Sequence, residues 1–379
     1  MSEKHILVVS TSYPDVGYQA GQEAAGSFVS DFVEYLSQFV RVTAVVPTAQ
    51  KETIFEQKGS FAVYRFPVPF LPLSLLKPVN PTHWAKIRQT MQAGQQAVQK
   101  MAQENEIKHI FALWALPSGY WAKQTGLPYS IWALGSDIWS LGKVPLIRQQ
   151  LQNVLRQASH CFADGYQLAE DVREMSNREC HFLPSSRKLT LSKPKELATI
   201  PPYKLAFLGR WHTHKGIDLL MESLHLLNED DWQKIKEVRI FGGGPLETLV
   251  KTETMELKQK GYPVTVGGYL DRDGATALYE WADYLLLPSR IESIPVLFSD
   301  ALQTNCPLVA MPIGDLPRLM KESKVGVLAQ NVSGGAFYHA LQNLLHTHNP
   351  KVFEHSIEKM KNQFDLHTTS KEFLEKLSL

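Results

Sequence analysis

Two cations and two carboxylates, each beside a turn that introduces a helix, are the residues of this sequence best suited to chemistry. Gly209-Arg210-Trp211-His212-Thr213-His214-Lys215-Gly216 follows the apolar run Leu205–Leu208 and precedes a helical pattern that begins near Asp218. An Arg and a Lys there bring positive charge to a helix amino terminus, where an anion such as a diphosphate binds. Taken alone, the same loop reads equally well as a solvated turn. Glu292-Ser293-Ile294-Pro295-Val296 leads on to Asp300, with seven residues between the two carboxylates. Pro295 suits the first turn of a helix with free backbone N–H groups, Glu292 stands at the lip of the loop, and Asp300 lies a turn further on, able to accept from a ribose diol. The ordinary alternative makes Glu292 a partner of the helix dipole and Asp300 a surface charge. Gly242-Gly243-Gly244-Pro245 is a third turn that lets backbone approach a ligand, although a glycine run alone reads first as a tight strand-to-helix turn. Its spacing is not GxGxxG, which disfavours a dinucleotide-dependent oxidoreductase or epimerase.

Parallel strands position such loops, because ligands in open α/β sheets sit beyond the strands' carboxyl ends. His5–Ser10 is a short apolar run ending in the turn-prone Thr11-Ser12-Tyr13-Pro14. Gly17, Gly21 and Gly26 punctuate the loop that follows. Helical spacing over Phe28–Phe39 and a strand at Val42–Val46 then complete a βαβ opening. The alternation continues with strands at Ile110–Trp114, Ser130–Leu134 and Cys161–Ala163, and helices near Gly119–Thr125 and Leu146–Ala158. It lapses between Leu183 and Tyr203 into Ser, Lys and Pro, and resumes with strands at Lys204–Leu208, Val238–Phe241, Val264–Val266, Tyr284–Leu287 and Leu308–Met311. The expected organisation is two Rossmann-like α/β domains with parallel sheets facing a central cleft, residues 1–195 and 196–350, with a helical tail over 351–379 on a domain surface.

Composition narrows the classes. A chain of 379 residues exceeds what one core usually organises. With 39 basic against 38 acidic residues, the overall charge gives no footing for a nucleic-acid binder. Cys161, Cys180 and Cys306 are scattered without CxxC spacing, which argues against a disulfide framework or a zinc site; no metal and no cofactor is expected. The first apolar run is too short for a signal peptide or a membrane span, and a cytoplasmic protein is expected. Asn331-Val332-Ser333 matches a glycosylation sequon by chance in that setting.

In order, Gly209-Arg210…Lys215-Gly216, Gly242-x-Gly244-Pro245, Gly268, Ala282-Asp283, Pro288-Ser289, Glu292-x7-Asp300-Ala301 and Pro307 resemble the donor domain of family 4 glycosyltransferases, of GT-B fold. The resemblance spans about Lys204 to Leu328. Ser12-Tyr13-Pro14 with Gly26, and Trp114-x-x-Pro117-x-Gly119 followed by Gly135-Ser136-Asp137, look similar to the acceptor domain. The resemblance implies a catalytic set of Arg210 and Lys215 on the donor diphosphate and Glu292 on the hydroxyls of the transferred sugar. Gly209, Gly242, Gly244, Ser293, Ile294, Pro295, Val296 and Asp300 would line the donor site, Asp300 on the ribose. Gly21, Gly26 and Asp137 are the acceptor-side candidates, Asp137 reading equally as a helix N-cap. The donor would be UDP- or GDP-linked and the acceptor a glycan or lipid-linked molecule of polysaccharide or glycolipid assembly. Transfer would retain configuration without a metal, two cations stabilising the departing diphosphate.

This sequence departs from the family pattern in three places. Asp300 stands where the family usually has Glu, and Leu113 and Leu134 stand where many relatives have His. The leucines keep open a noncatalytic nucleotide-sugar-binding protein as the alternative. Phe66–Leu76 is unusually apolar for a loop, and Lys143–Arg156 is a helical stretch with basic but no acidic residues. Each reads either as ordinary packing or as a contact for a lipid-linked acceptor at the inner face of a membrane.

Overall fold

The computed structural model describes residues 4–15, 26–192 and 195–378. The chain divides into two compact units: Met1–Ser186 with Leu366–Leu379, and Arg187–Asp365. The first is built on an eight-stranded sheet of β1 (His5–Ser10), β2 (Arg41–Thr48), β3 (Ile54–Lys58), β4 (Phe61–Pro67), β5 (His109–Leu113), β6 (Tyr129–Ala133), β7 (His160–Ala163) and β8 (Cys180–Phe182). Their order is β3-β4-β2-β1-β5-β6-β7-β8, parallel throughout except for the antiparallel β3–β4 edge.

Side chains alternate between faces along a strand, and β1 shows the consequence. Leu7 and Val9 join one core with Val98 and Met101 of helix Trp84–Glu104 and Leu151 and Leu155 of helix Pro145–Gln157. Ile6 and Val8 join the other core with Phe32 of helix Ser27–Leu36 and Phe373 of helix Leu366–Lys376. Both faces are covered, so the central strands read as continuous apolar runs.

The second unit has a six-stranded, wholly parallel sheet: β9 (Tyr203–Arg210), β10 (Ile235–Gly243), β11 (Val264–Gly267), β12 (Tyr284–Leu287), β13 (Leu308–Ala310) and β14 (Gly326–Leu328). The order β11-β10-β9-β12-β13-β14 reverses between β9 and β12. A doubly wound sheet binds ligands at that switch point, and the loops leaving these two strands carry Arg210, Lys215 and Glu292.

The unit boundaries differ from the expected ones. Chain crossing occurs after Ser186 rather than near residue 195. The segment beyond it is already fastened to the second unit, Lys195 Nζ donating to the Tyr279 carbonyl at 3.0 Å. The tail is shared between the units rather than forming one surface appendage. Helix Glu354–Lys361 and the turn Asn362–Phe364 belong to the second, with Phe364 against Phe298 at 5.3 Å, and helix Leu366–Lys376 completes the first.

Candidate functional site at the strand ends of the second unit

Three loops leave the carboxyl ends of β9, β10 and β12, and close backbone approach holds them together. Gly216 has φ 67°, and a Cβ there would collide with the Pro288 carbonyl of the β12 loop. Gly242 has φ 149°, and its Cβ would collide with the Gly209 carbonyl. These two positions need glycine both for conformation and for room. Trp211 N donates to Gly243 O at 2.8 Å and Leu246 N donates to Trp211 O at 3.0 Å, tying the β9 and β10 loops. Arg290 staples the β9 and β12 loops: its guanidinium donates to both oxygens of Asp218 at 2.7 and 2.6 Å and to Thr213 O at 2.6 Å. Burial alone would raise the Asp218 carboxyl, but the hydrogen bonds and charge of Arg290 outweigh it and hold the group below its ordinary value.

On this frame Lys215 pairs with Glu292, so the expected cation and carboxylate of two different loops meet. Arg210 is exposed at the end of β9, and its guanidinium has no partner among the described residues. Helix Val296–Gln303 follows, with no side chain capping its first turn. Pro295 is its N-cap residue rather than a residue of the first turn, at φ −61° and ψ 137°. Ser293, Ile294 and Pro295 are buried and Val296 half-buried, and the Ser293 hydroxyl is buried without a hydrogen-bond partner among the described residues. A helix amino terminus with free N–H groups, a guanidinium without a partner among the described residues and a Lys–Glu pair are groups whose chemistry suits an anion and a hydroxyl. Gly209 and Gly244 serve the same loop packing as Gly242, Gly244 lying against Trp211.

Asp300 departs from its expected exposure. It is fully buried, accepting from Arg187 Nε at 3.2 Å and from the Tyr279 hydroxyl at 3.2 Å, with a further Arg187 nitrogen on the same carboxylate. Burial would lower the Arg187 guanidinium, but the Asp300 charge outweighs it and holds the group above its ordinary value. Arg187, Tyr279 and the Asp218–Arg290 pair carry no local sequence signal; only the meeting of distant segments reveals them. His212 caps its own turn, its Nδ1 accepting from His214 N at 3.1 Å.

At the strand ends of the first unit, Asp137 is 1% exposed and its carboxylate accepts from Ala115 N at 2.7 Å and Leu134 N at 3.2 Å. It joins the exits of β5 and β6. Burial raises its pKa, and the backbone N–H groups of Ala115 and Leu134 oppose the rise. The residue before Ala115, Trp114, has φ 66°, a costly conformation for a residue with a Cβ that Asp137 helps to hold. Gly26 has φ 124°, and a Cβ there would press on the backbone of Ser12 and Tyr13, which explains its glycine. Gly21 lies outside the described residues. Leu113 is buried in the core and Leu134 packs against it. Among the described residues His225, Glu253 and Glu256 lie within 4.8 Å of one another, on helices Ile217–Leu226 and Glu247–Gln259 rather than on these loops.

The family model Glycosyl transferases group 1 matches residues 202–347, which contain all three loops of the second unit. The chain is 26% identical over 279 residues to "Putative teichuronic acid biosynthesis glycosyltransferase TuaC" of Bacillus subtilis, covering 68% of this chain and 66% of that one. It is 28% identical over 170 residues to a D-inositol 3-phosphate glycosyltransferase of Corynebacterium efficiens, covering 43% of this chain and 40% of that one. The alignments thus span less than two thirds of these relatives' length. Among solved structures, a sucrose-phosphate synthase from Thermosynechococcus elongatus superposes with TM-score 0.73 at 15% identity, over 99% of this chain and 98% of that one. Anabaena HepE in complex with UDP and glucose superposes with TM-score 0.67 at 13% identity, over 99% of each chain. Residues 202–347 thus resemble the glycosyl transferases group 1 family, and the two parallel-sheet units have the GT-B fold.

Proposed function

We propose that this protein is a retaining glycosyltransferase that moves a sugar from a nucleoside-diphosphate donor, UDP-linked in preference to GDP-linked, onto a glycan or lipid-linked acceptor of polysaccharide or glycolipid assembly. One observation carries the reading: the Arg210 guanidinium, without a partner among the described residues, and the Lys215–Glu292 pair stand at the strand exits that flank the switch point of the second sheet. Arg210 and Lys215 take the diphosphate, with the amino end of helix Val296–Gln303 adding backbone N–H groups. Glu292 then meets the hydroxyls of the transferred sugar next to the phosphate that leaves. Asp300 is the candidate for the ribose and meets it once Arg187 moves off its buried carboxylate. The bond from the anomeric carbon to phosphate oxygen breaks, and the acceptor oxygen bonds that carbon on the same face. The acceptor's proton passes to the departing phosphate. Two cations stabilise the charge that accumulates there, and this scheme requires no protein base and no metal. The preference for UDP follows HepE, whose solved complexes contain UDP and UDP-glucose.

Thermal-shift measurement with UDP, GDP, ADP and their sugars tests the reading. One nucleotide family should raise the melting temperature, since ligand at about 100 times Kd adds roughly 2.7 kcal/mol. Arg210→Ala should abolish the rise, and Glu292→Gln should weaken the response to the sugar nucleotide more than to the free nucleotide. No shift with any nucleotide at millimolar concentration would overturn the donor site. A shift without transfer or donor hydrolysis would favour the noncatalytic binding protein.

A further inference from the structure

The first unit carries a second feature that the donor site does not use. Between Gln57 and Gln103 the sequence has 47 residues without one Asp or Glu, in a chain with 38 of them, while Lys and Arg together occur six times. In this stretch, the chain leaving β4 forms a compact turn before helix Trp84–Glu104. Its own hydrogen bonds fix its shape. Trp84 Nε1 donates to Pro78 O at 2.8 Å, Lys77 N donates to His83 Nδ1 at 2.9 Å, and Asn80 Oδ1 accepts from Thr82 N at 3.1 Å. The turn holds three large apolar side chains outward: Leu75 is 52% exposed, Trp84 59% and Val79 71%. Lys77, Lys86 and Arg88 are exposed beside them.

A second acid-free stretch, Ile138 to Ala163, leaves β6 at the same end of the sheet. Leu146, at the start of helix Pro145–Gln157, is 78% exposed, next to exposed Lys143 and Arg148. Leu71 and Leu73 of the first stretch and Trp139 of the second pack on the same core, so both features lie on one face of the sheet. Four strand steps separate β4 from β6, roughly 19 Å.

We infer that Val79, Trp84 and Leu146, ringed by Lys77, Lys86, Arg88, Lys143 and Arg148, form a docking surface for an anionic lipid bilayer. Exposed large apolar groups gain by leaving water, and an indole whose N–H is already bonded within its own turn enters the interface without leaving a donor unpaired. The cations match the charge of anionic headgroups; neither stretch carries a carboxylate of its own, and Asp171 of helix Tyr166–Ser176, which accepts from the Trp139 indole at 2.7 Å, is a neighbouring acid that they outnumber. No described helix is long and apolar enough to cross a membrane, so the contact is with the surface. A neutral protein partner would not call for charge of one sign. The inference stands on the first unit alone and is independent of the donor site.

Co-sedimentation of the full chain with phosphatidylcholine vesicles, with and without phosphatidylglycerol, tests it. The protein should sediment with the anionic vesicles at least about tenfold more strongly than with neutral ones, and high salt should release it. Lys86→Glu with Arg88→Glu should remove that preference. Trp84→Ser, and separately Leu146→Ser, should weaken binding several-fold with unchanged circular dichroism. Arg210→Ala should sediment like the parent, so loss of the donor site and loss of docking are read separately. Equal binding to neutral vesicles, no binding, or indifference to all these substitutions overturns the inference. So does a dimer in sedimentation velocity that Trp84→Ser dissolves while vesicle binding is absent.

Discussion

Arg187 and Asp300 show what a single pair commits a site to. Asp300 has no exposure, and Arg187 and Tyr279 hold both of its oxygens. Removing one partner of a buried pair leaves a desolvated charge, which costs about 3–5 kcal/mol, whereas removing both costs far less. Arg187→Ala should therefore destabilise the second unit by roughly 3 kcal/mol in urea unfolding, and Arg187→Ala with Asp300→Asn should recover much of it. Strict additivity of the two substitutions would mean that the pair carries no coupling. Arg210, by contrast, has no side-chain partner among the described residues to lose, so its removal should leave stability within about 0.5 kcal/mol and act only on ligand binding.

At the scale of the element, β5 sets a pH limit on the first unit. His109 opens that strand, buried, with Nε2 2.8 Å from the Ser130 hydroxyl of β6. Burial, and then the charge of His160, push its pKa down to about 4. The unfolded chain takes up this proton at about pH 6.5 and the folded chain only near 4, so stability falls as pH drops through that window. The loss should reach on the order of 3 kcal/mol by pH 4. His160 and His181 are lowered as well, burial being the first cause for each, so the reading is a difference between proteins. His109→Gln, which keeps a partner for Ser130, should flatten the slope of unfolding free energy between pH 6.5 and 4; an unchanged slope would show that His109 titrates normally.

Across the whole molecule, the first unit is not finished until the chain returns to it. Phe373 of the last helix is fully buried, with ring centroids 4.2 Å from Phe111, 5.3 Å from Phe162 and 5.7 Å from Phe32. Emptying that position leaves a cavity among rings from β5, β7 and helix Ser27–Leu36. Phe373→Ala should cost about 3–5 kcal/mol in urea unfolding, and Phe373→Leu distinctly less. Equal, small effects would mean that the last helix contributes little to this core.

The sequence by itself determined the class of fold, because strands covered on both faces must be apolar throughout and helices between them must show a 3.6-residue period. It also determined the Arg210, Lys215 and Glu292 loops, whose order along the chain is a local property. Helix Trp84–Glu104 gives a weak signal, since its buried face is largely small residues such as Thr90, Gly94 and Ala97, with Trp121 filling the space against Gly94. The β3–β4 hairpin is similarly faint, one of its strands being a mostly exposed edge. Only the tertiary structure decided which distant groups meet: Arg187 with Asp300, Asp218 with Arg290, Asp137 with the backbone of Ala115, and the last helix with the first unit. Ion pairs and ring contacts between segments far apart in sequence leave no period and no spacing, because chain crossings, not neighbours along the chain, bring them together.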